Sequence, residues 1–349
     1  MAVKFTKPEI NVREKLAELD KPSGIAGEAM LRAETVAEQQ ALIGVGRRNL
    51  LINGDFKVSQ RGTYTSTTTL TNTATYYLDR WKFYTFTNTS GTFQHKLDQT
   101  LPDGTVTNTH LHTSTSADMN APLVQLVEDH KAVWGKHFTV SFWYKSNKET
   151  YYNIWNGTSQ IQFLVPNSGG AWKKWEQTYK LKENGAYFRL EFYSHTIDMT
   201  SGSYLELAQV QIELGKVATP FEYRSYGEEL ALCQRYYYKS PSANGYMFTM
   251  TGVGATVGEI QYFPPVTMRT TPTIALLDAS PYWEVHPWNT VGNTSINITS
   301  IHAGHMSSDG HGQLGVFFSA TTGSYVTPAL VRGTNYVIRA DFCSFSAEL

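Results

Sequence analysis

The sequence has few cysteines and a net charge close to zero. Its 29 basic and 30 acidic residues give a formal net charge of -1, so the chain has no overall field that would hold a nucleic-acid backbone or an anionic membrane. Cys233 and Cys343 are the only cysteines and form no CxxC pair. This excludes a small domain held by disulfides or by a cysteine-bound metal, and predicts assembly in a reducing compartment.

Long apolar runs are also missing. No stretch approaches the roughly 18–20 apolar residues that span a bilayer. The first twenty residues carry charges throughout and lack the apolar segment of a secretory signal. We therefore expect a soluble protein that is not inserted into a membrane.

Aromatic residues are abundant, at 13%, whereas charged residues reach only 17%, below the usual quarter of a globular chain. Aromatic residues favour strands, and 27 glycines supply turns. The composition excludes a helical bundle and a disordered chain, and it predicts a mainly β fold.

Residues 1–48 differ from the rest, because they hold 15 charged residues, no Tyr and no Trp. Asn11 with Glu14, and Thr35 with Glu38, match capping boxes and predict short helices. Helices this short are marginal alone and need a partner. We predict a segment for docking and oligomerisation, with a flexible tail as the alternative. The docking residues are Val12, Leu16, Leu19, Met30 and Leu31.

Two β regions follow the N-terminal segment. Alternating or β-rich runs over 49–225 and 236–349, separated by turn pairs such as Asp103-Gly104, predict antiparallel strands. A short helix at Gly227–Gln234 lies between them. The predicted fold is mainly β, with a short α-helical N-terminal adaptor and two antiparallel, jelly-roll-like β-sandwich domains. The predicted domains are 1–48, 49–225 and 226–349.

Three stretches together resemble tail-fibre and related virion-appendage proteins of marine bacteriophages. They are INVREKLAELDKPSGIAGEAMLRAET, RRNLLINGDFKVSQRGT with the later LDRW, and ELAQVQIELGKVATPFEYRSYGEELALCQRYY. The resemblance implies a virion protein assembled in the host cytoplasm. It also implies a homotrimer whose N-terminal segment binds other proteins of the tail, neck or capsid.

Residues 49–225 also resemble the jelly-roll of carbohydrate-binding modules. NLLINGDF matches the opening strand of that family, and Tyr204–Leu214 matches its closing strand in position. The family often has an acidic residue after this Phe and an Asp near the closing strand, which help to bind a structural calcium. Here Lys57, Ala208 and Gln209 stand instead, so this chain lacks the acidic side chains that those two positions often contribute to the calcium site. Asp55, Asp79 and Arg80 form either an ion site or a structural cluster beneath Trp81.

Two aromatic clusters are candidate sugar-binding surfaces, because sugar rings stack on flat aromatic rings. The candidates are Tyr151, Tyr152 and Trp155 in the first β region and Tyr282, Trp283 and Trp288 in the second. The alternative for each ring is a place in the core, where most aromatic residues belong.

Histidines form two candidate metal sites. His110 and His112 make an HxH on a predicted strand, so both imidazoles face the same side. The resemblance to trimeric phage fibres implies that such a pair, if it lies on the three-fold axis, would hold iron. His302 and His305 lie in the sequence HAGH, for which the alternative to a metal site is a plain glycine-rich loop. We expect no cofactor beyond such a structural metal ion.

Catalysis has no motif to support it. The glutamates of the predicted strands are scattered, and no nucleophile, zinc-protease, P-loop or dinucleotide-binding pattern occurs. We predict a protein without enzymatic activity, which docks by its N-terminus and displays β domains that recognise polysaccharide on the host surface. The alternatives are a purely structural head, neck or capsid decoration, and a glycan hydrolase.

Overall fold

The computed structural model describes the chain from residue 48 to residue 348 with gaps. The described ranges are 48–71, 74–84, 91–115, 121–128, 130–180, 185–192, 200–239, 248–252, 257–262, 265–270, 272–276, 282–287, 295–306, 314–320, 335–339 and 343–348. Val12, Leu16, Leu19, Met30 and Leu31, together with the predicted docking helices, lie outside these residues, so their docking role stays a prediction.

The first β region is a sandwich of two antiparallel sheets. Its strands are Thr68–Thr69 (β1), Thr75–Leu78 (β2), Trp81–Phe83 (β3), Gly91–Thr100 (β4), Val106–Ser114 (β5), Leu123–Leu126 (β6), His137–Ser146 (β7), Thr150–Trp155 (β8), Gln160–Val165 (β9), Lys173–Lys180 (β10), Arg189–Phe192 (β11) and Tyr204–Leu214 (β12). The first sheet has the order β1-β4-β5-β12-β7-β10, and the second has the order β2-β3-β6-β11-β8-β9. The predicted mainly β chain with an antiparallel sandwich is confirmed.

The core lies between the two sheets and follows the two-residue period of the strands. On β7, Phe138, Val140, Phe142 and Tyr144 are all buried in it, on the face that the alternation of HFTVSFWYKS predicts. Trp81 is fully buried and donates its indole N–H to the Asn53 carbonyl at 2.8 Å.

Two of the three stretches that resemble phage appendages, the one that contains NLLINGDF and the one that begins at Glu206, meet in this sandwich. The Asn49 amide donates to the Val210 carbonyl at 3.0 Å, and its oxygen accepts from the Ile212 N–H at 3.1 Å. The Asn53 amide donates to the Asp79 carbonyl at 2.9 Å. These motifs therefore tie the opening segment to the closing strand β12 and to the 78–81 turn, which is a structural role.

One described helix, Tyr226–Gln234 (α1), follows the sandwich. Ser225 and Glu228 form the capping box at its start, and Cys233 packs with Ile52, Val58 and Tyr236. The predicted linker helix is thus present and lies against the sandwich. No described helix is long and apolar enough to cross a membrane.

The second β region contains a small sheet and a barrel. Its strands are Tyr237–Lys239 (β13), Phe248–Gly252 (β14), Val257–Tyr262 (β15), Thr273–Leu276 (β16), Tyr282–Pro287 (β17), Ser295–Met306 (β18), Leu314–Ala320 (β19), Asn335–Arg339 (β20) and Cys343–Ser346 (β21). β13, β21 and β16 form a three-stranded sheet, whereas the remaining six strands close in the order β14-β15-β19-β18-β17-β20. The predicted antiparallel β region is thus present, and six of its described strands close into a barrel.

A buried charge cluster joins the sandwich to the three-stranded sheet. Glu348, just after β21, lies 2.8 Å from Arg80 and 3.0 Å from Arg61. The Arg80 guanidinium also stacks over the Tyr236 ring, with 3.5 Å from its carbon to the ring centroid. Because both arginines belong to the sandwich, the end of the described chain is tied back to the 61–80 region.

Candidate functional site

The outer face of the second sheet is the candidate site. Alternate residues of β8, β11 and β3 point away from the core, and their side chains are aromatic, cationic, amide or carboxylate groups. Four rings and two cations form a continuous series, which we call the aromatic–cationic row: Tyr76, Lys82, Tyr84, Arg189, Tyr187 and Trp155.

Lys82 and Arg189 both lie near the Tyr84 ring. The Lys82 ammonium is 5.6 Å from the centroid of the Tyr84 ring and 5.1 Å from that of Tyr76. The Arg189 guanidinium carbon is 4.9 Å from the Tyr84 centroid. These distances lie within the range of cation–π contacts, which hold the long cationic side chains along the sheet surface.

Trp155 and Tyr187 complete the row at the β8 side. The Trp155 indole N–H donates to the Tyr187 hydroxyl, and the Arg189 guanidinium carbon is 5.7 Å from the Tyr187 centroid. From β8 through β11, β6 and β3 to β2, which carries Tyr76, there are four inter-strand steps of about 4.8 Å, so the row extends for roughly 19 Å. This length suits an extended oligomeric ligand better than a single small molecule.

A polar centre lies beside the row, where Asn153 of β8 pairs with Glu191 of β11. The Asn153 amide donates to a Glu191 oxygen at 3.3 Å, and Glu191 forms an ion pair with Arg189. Asn153 Oδ1 and Arg189 Nε are buried and have no hydrogen-bond partner among the described residues. Unsatisfied buried polar atoms are uncommon and call for an explanation. One acceptor and one donor left open on the same face are suited to a ligand hydroxyl.

The charges of the face shift the pKa of Lys82. Burial lowers the pKa of its ammonium, and the nearby Arg189 guanidinium lowers it further. Burial raises the pKa of Tyr76, and the Glu348 carboxylate adds to this rise. Tyr76 is therefore a neutral phenol at physiological pH, and the face carries its charges on Lys82, Arg189 and Glu191.

Of the predicted cluster Tyr151, Tyr152 and Trp155, two members lie on this face. All three belong to strand β8, where the sequence suggested a turn-rich stretch. Tyr152 points inward, is 0% exposed and stacks on Phe163 with 4.8 Å between ring centroids. The prediction that Tyr152 contacts a ligand is wrong, because strand alternation sends it to the core. Tyr151 and Trp155 are half-buried on the opposite, outer side.

The histidine pair His110 and His112 lies inside the sandwich. The two rings do share a face, with 6.4 Å between their centroids, as the HxH spacing predicts. Both are buried, and Phe83 lies within 5.5 Å of each ring centroid. Side chains that point into the interior of one subunit cannot meet on a trimer axis, so the predicted axial iron site is wrong. Among the described residues no three His, Cys, Asp or Glu side chains are placed to hold a metal ion.

Burial depresses the pKa of these imidazoles. It lowers the pKa of His110 to about 3, and His95 adds to the effect. Burial likewise lowers the pKa of His112 well below its ordinary value, with a smaller contribution from His110. Both are neutral in the folded protein near pH 7.

Asp55, Asp79 and Arg80 take structural roles. Lys57 places its ammonium 2.8 Å from Asp55, where an inherited calcium site would need further carboxylates. Asp79 accepts hydrogen bonds from the backbone N–H and side-chain amide of Gln60 at 2.6 and 2.7 Å. Arg80 binds Glu348, as described above, so the predicted structural cluster exists with these other partners.

The candidates of the second β region are only partly described. Tyr282 and Trp283 lie on strand β17, opposite Asn297 and Ile296 of β18. His302 and His305 lie on strand β18, where HAGH continues the strand instead of forming a loop. Trp288 lies outside the described residues. Ligand and metal binding by these residues stay predictions.

Most of the aromatic–cationic row was not singled out in the sequence. These members include Lys82, Tyr84, Tyr187 and Arg189. They lie in or next to strands that pair with strands far away in the sequence. A local signal was present in TYYNIW, where Tyr151, Asn153 and Trp155 alternate with apolar residues. If TYYNIW forms a strand, this alternation predicts that the rings of Tyr151 and Trp155 and the amide of Asn153 share its outward face.

No family model matches the sequence, and no curated protein is similar to it. Among solved structures, the enzymatically active domain of bacteriophage CBA120 tailspike protein 4 is 14% identical, with a TM-score of 0.34, over 48% of this chain. The present chain covers only 21% of that tailspike chain. A xylan-binding domain from Paenibacillus barcinonensis is 13% identical, with a TM-score of 0.31, over 50% of this chain and 99% of that one. The tandem of two such domains from the same organism is 12% identical, with a TM-score of 0.29, over 83% of this chain and 100% of that one. At these scores we record the similarities without drawing a functional conclusion from them.

Proposed function

We propose that this chain is a non-catalytic polysaccharide-binding protein, and that the ligand lies along the aromatic–cationic row. The observation that carries the proposal is the pairing of half-buried rings with open polar atoms on one sheet face. Trp155 and Tyr187 offer ring surfaces, and Asn153 Oδ1 and Arg189 Nε lie beside them without partners among the described residues. Aromatic rings with a few placed polar groups are the usual composition of a ligand surface.

The same face does not favour cleavage. Glycoside hydrolysis generally requires two carboxyl groups about 5–9.5 Å apart. Among the described residues that this face presents, Glu191 supplies one carboxylate, and it is held by Arg189 and Asn153. A bound polysaccharide would thus meet ring surfaces and hydrogen-bonding groups without a catalytic pair.

Binding is tested with the purified full chain on an array of microbial and plant polysaccharides, with Trp155→Ala as the variant. We expect the variant to lose at least tenfold in affinity, because aromatic contacts dominate such surfaces. Trp143→Ala, which changes a half-buried ring on β7 of the first sheet, is the matched control and should bind normally. Equal loss in both variants, or no binding to any polymer by the unaltered chain, contradicts the proposal. Release of reducing ends would favour the hydrolase alternative.

We further propose that the protein is a phage virion appendage that forms a homotrimer and docks on the particle through residues 1–48. The resemblance of the three sequence stretches and the charged, aromatic-poor composition of that segment support this. Light scattering should give about three times the 39.2 kDa chain mass. Deleting residues 1–48 should abolish incorporation into virions, and normal incorporation without them would contradict the docking role. A virion that carries the protein but whose purified chain binds no glycan would favour the decoration alternative.

A further inference from the structure

The candidate face carries more positive than negative charge. Lys82 and Arg189 provide two cations, whereas Glu191 provides the one carboxylate among the described outward residues of β3, β11 and β8. Glu191 is already engaged, since it pairs with Arg189 and accepts a hydrogen bond from Asn153 at 3.3 Å. One positive charge is thus left on the face.

Lys82 holds that charge. Among the described residues its ammonium has no carboxylate partner within ion-pair distance, and its close neighbours are the rings of Tyr76 and Tyr84. The acidic group nearest along the sheet edge, Glu348, is itself bound by Arg80 at 2.8 Å and by Arg61 at 3.0 Å. Lys82 is about half-buried, so its charge is costly to leave without a counter-charge.

Arg189 presents a second open donor near the same ring. One terminal nitrogen pairs with Glu191, but the buried Nε has no partner among the described residues. Both Lys82 and Arg189 lie against Tyr84, with centroid distances of 5.6 and 4.9 Å. The structure thus places two cationic groups near one aromatic ring.

We propose that the recognised polysaccharide is anionic and carries carboxylate groups, as a uronic-acid polymer does. A sugar ring would lie on Tyr84, while its carboxylate accepts hydrogen bonds from the Lys82 ammonium and the Arg189 Nε. Charge-assisted hydrogen bonds of this kind are shorter and stronger than neutral ones. The inference rests on the proposed polysaccharide binding and specifies the class of polymer.

The test compares each acidic polymer with its own carboxyl-reduced form, which keeps the linkage and removes the charge. Alginate, polygalacturonate and hyaluronate serve as acidic probes, and xylan and mixed-linkage glucan serve as neutral ones. We expect the full chain to bind at least one acidic polymer and to lose about tenfold or more in affinity for its reduced form. Binding should also weaken as salt is raised, because exposed charges are screened.

Three variants locate the contact. Lys82→Gln and Arg189→Lys should each weaken binding to the acidic polymer about tenfold. Lys174→Gln removes an exposed cation from β10 of the first sheet and should leave binding unchanged. Circular dichroism confirms that each variant is folded.

The outcomes separate this inference from the proposed function. Equal binding of acidic and carboxyl-reduced forms, or binding of neutral polymers alone, overturns the inference while polysaccharide binding stands. An equal loss in Lys174→Gln overturns it too, because the effect would then reflect overall charge. Binding to none of the polymers overturns both.

Discussion

His95 lies directly opposite His110 in the antiparallel pairing of β4 with β5, and both imidazoles are buried. Burial lowers the pKa of each, with His110 at about 3. In the unfolded chain a histidine titrates near 6.5. Below that pH the unfolded state binds more protons than the folded state, so the free energy of unfolding must fall as pH falls.

The first prediction is a loss of stability in mild acid. Between pH 7.5 and pH 5, His110 alone should reduce the free energy of unfolding by about 2 kcal/mol. Urea unfolding at both pH values measures the loss. His110→Leu removes the ionisable group and should make the dependence shallower. Equal stability at the two pH values would refute the neutral, buried state of these histidines.

Neighbouring tyrosines on β8 give the second prediction, because alternation places them on opposite sides of the sheet. Tyr152→Ala removes a fully buried ring and should lower stability by about 3–5 kcal/mol. Tyr151→Ala, one residue earlier on the outer face, should cost less than about 1 kcal/mol and weaken polysaccharide binding instead. Thermal unfolding and a binding assay on the same two proteins distinguish the roles. A reversal of the two effects would mean that the strand faces the other way.

Much of the sandwich could be predicted from its sequence, since strong alternation predicts β7 with its inward face. In β12 the strand could be predicted but not its inward face, because a bulge between Ala208 and Gln211 moves the core residues from Leu205 and Leu207 to Val210 and Ile212. The chain segment Gly91–Thr100, by contrast, was not predicted as a strand. Its inward residues include His95, and its outward Lys96 is bound by the buried Glu206 at 3.1 Å. Because the partners of these polar residues are far away in the sequence, the local alternation of apolar and polar residues is weak in this segment. The binding face depends on the same long-range pairing, so local sequence revealed Tyr151 and Trp155 but not Arg189.

The third prediction concerns Gly54, in the NLLINGDF motif. A Cβ at this position would lie 2.2 Å from the Val210 carbonyl oxygen, which is a backbone atom of β12 and not the end of a flexible side chain. Gly54→Ala should therefore cost more than about 2 kcal/mol, in the range of overpacked cores. Gly104→Ala meets no neighbouring atom within 4 Å, though its φ is +83°, and should cost about 1 kcal/mol. Similar losses in the two variants would show that the close approach to β12 does not matter.

The fourth prediction tests the buried ion pair between Arg80 and Glu348. Glu348→Ala leaves the Arg80 guanidinium, whose side chain is 2% exposed, without its carboxylate, and should cost about 3–5 kcal/mol. Glu176→Ala breaks the exposed pair with Lys174 and should cost under about 1 kcal/mol. Chemical denaturation measures both. A small effect of Glu348→Ala would indicate that Arg80 is satisfied by the Leu126 carbonyl and the Tyr236 ring alone.

The link between Glu348 and the sandwich also bears on how the protein is made. Arg80 and Glu348 are 268 residues apart, and at ~5–20 residues per second a ribosome needs about 13–54 s to cover that distance. During this interval the nascent sandwich carries Arg80 without the Glu348 carboxylate that pairs with it, whereas Arg61 already has the Asp79 carboxylate 3.6 Å away. The 61–80 region therefore reaches its final charge state only when the end of the described chain has been translated. Early release of the nascent chain would leave this region open to other acidic surfaces.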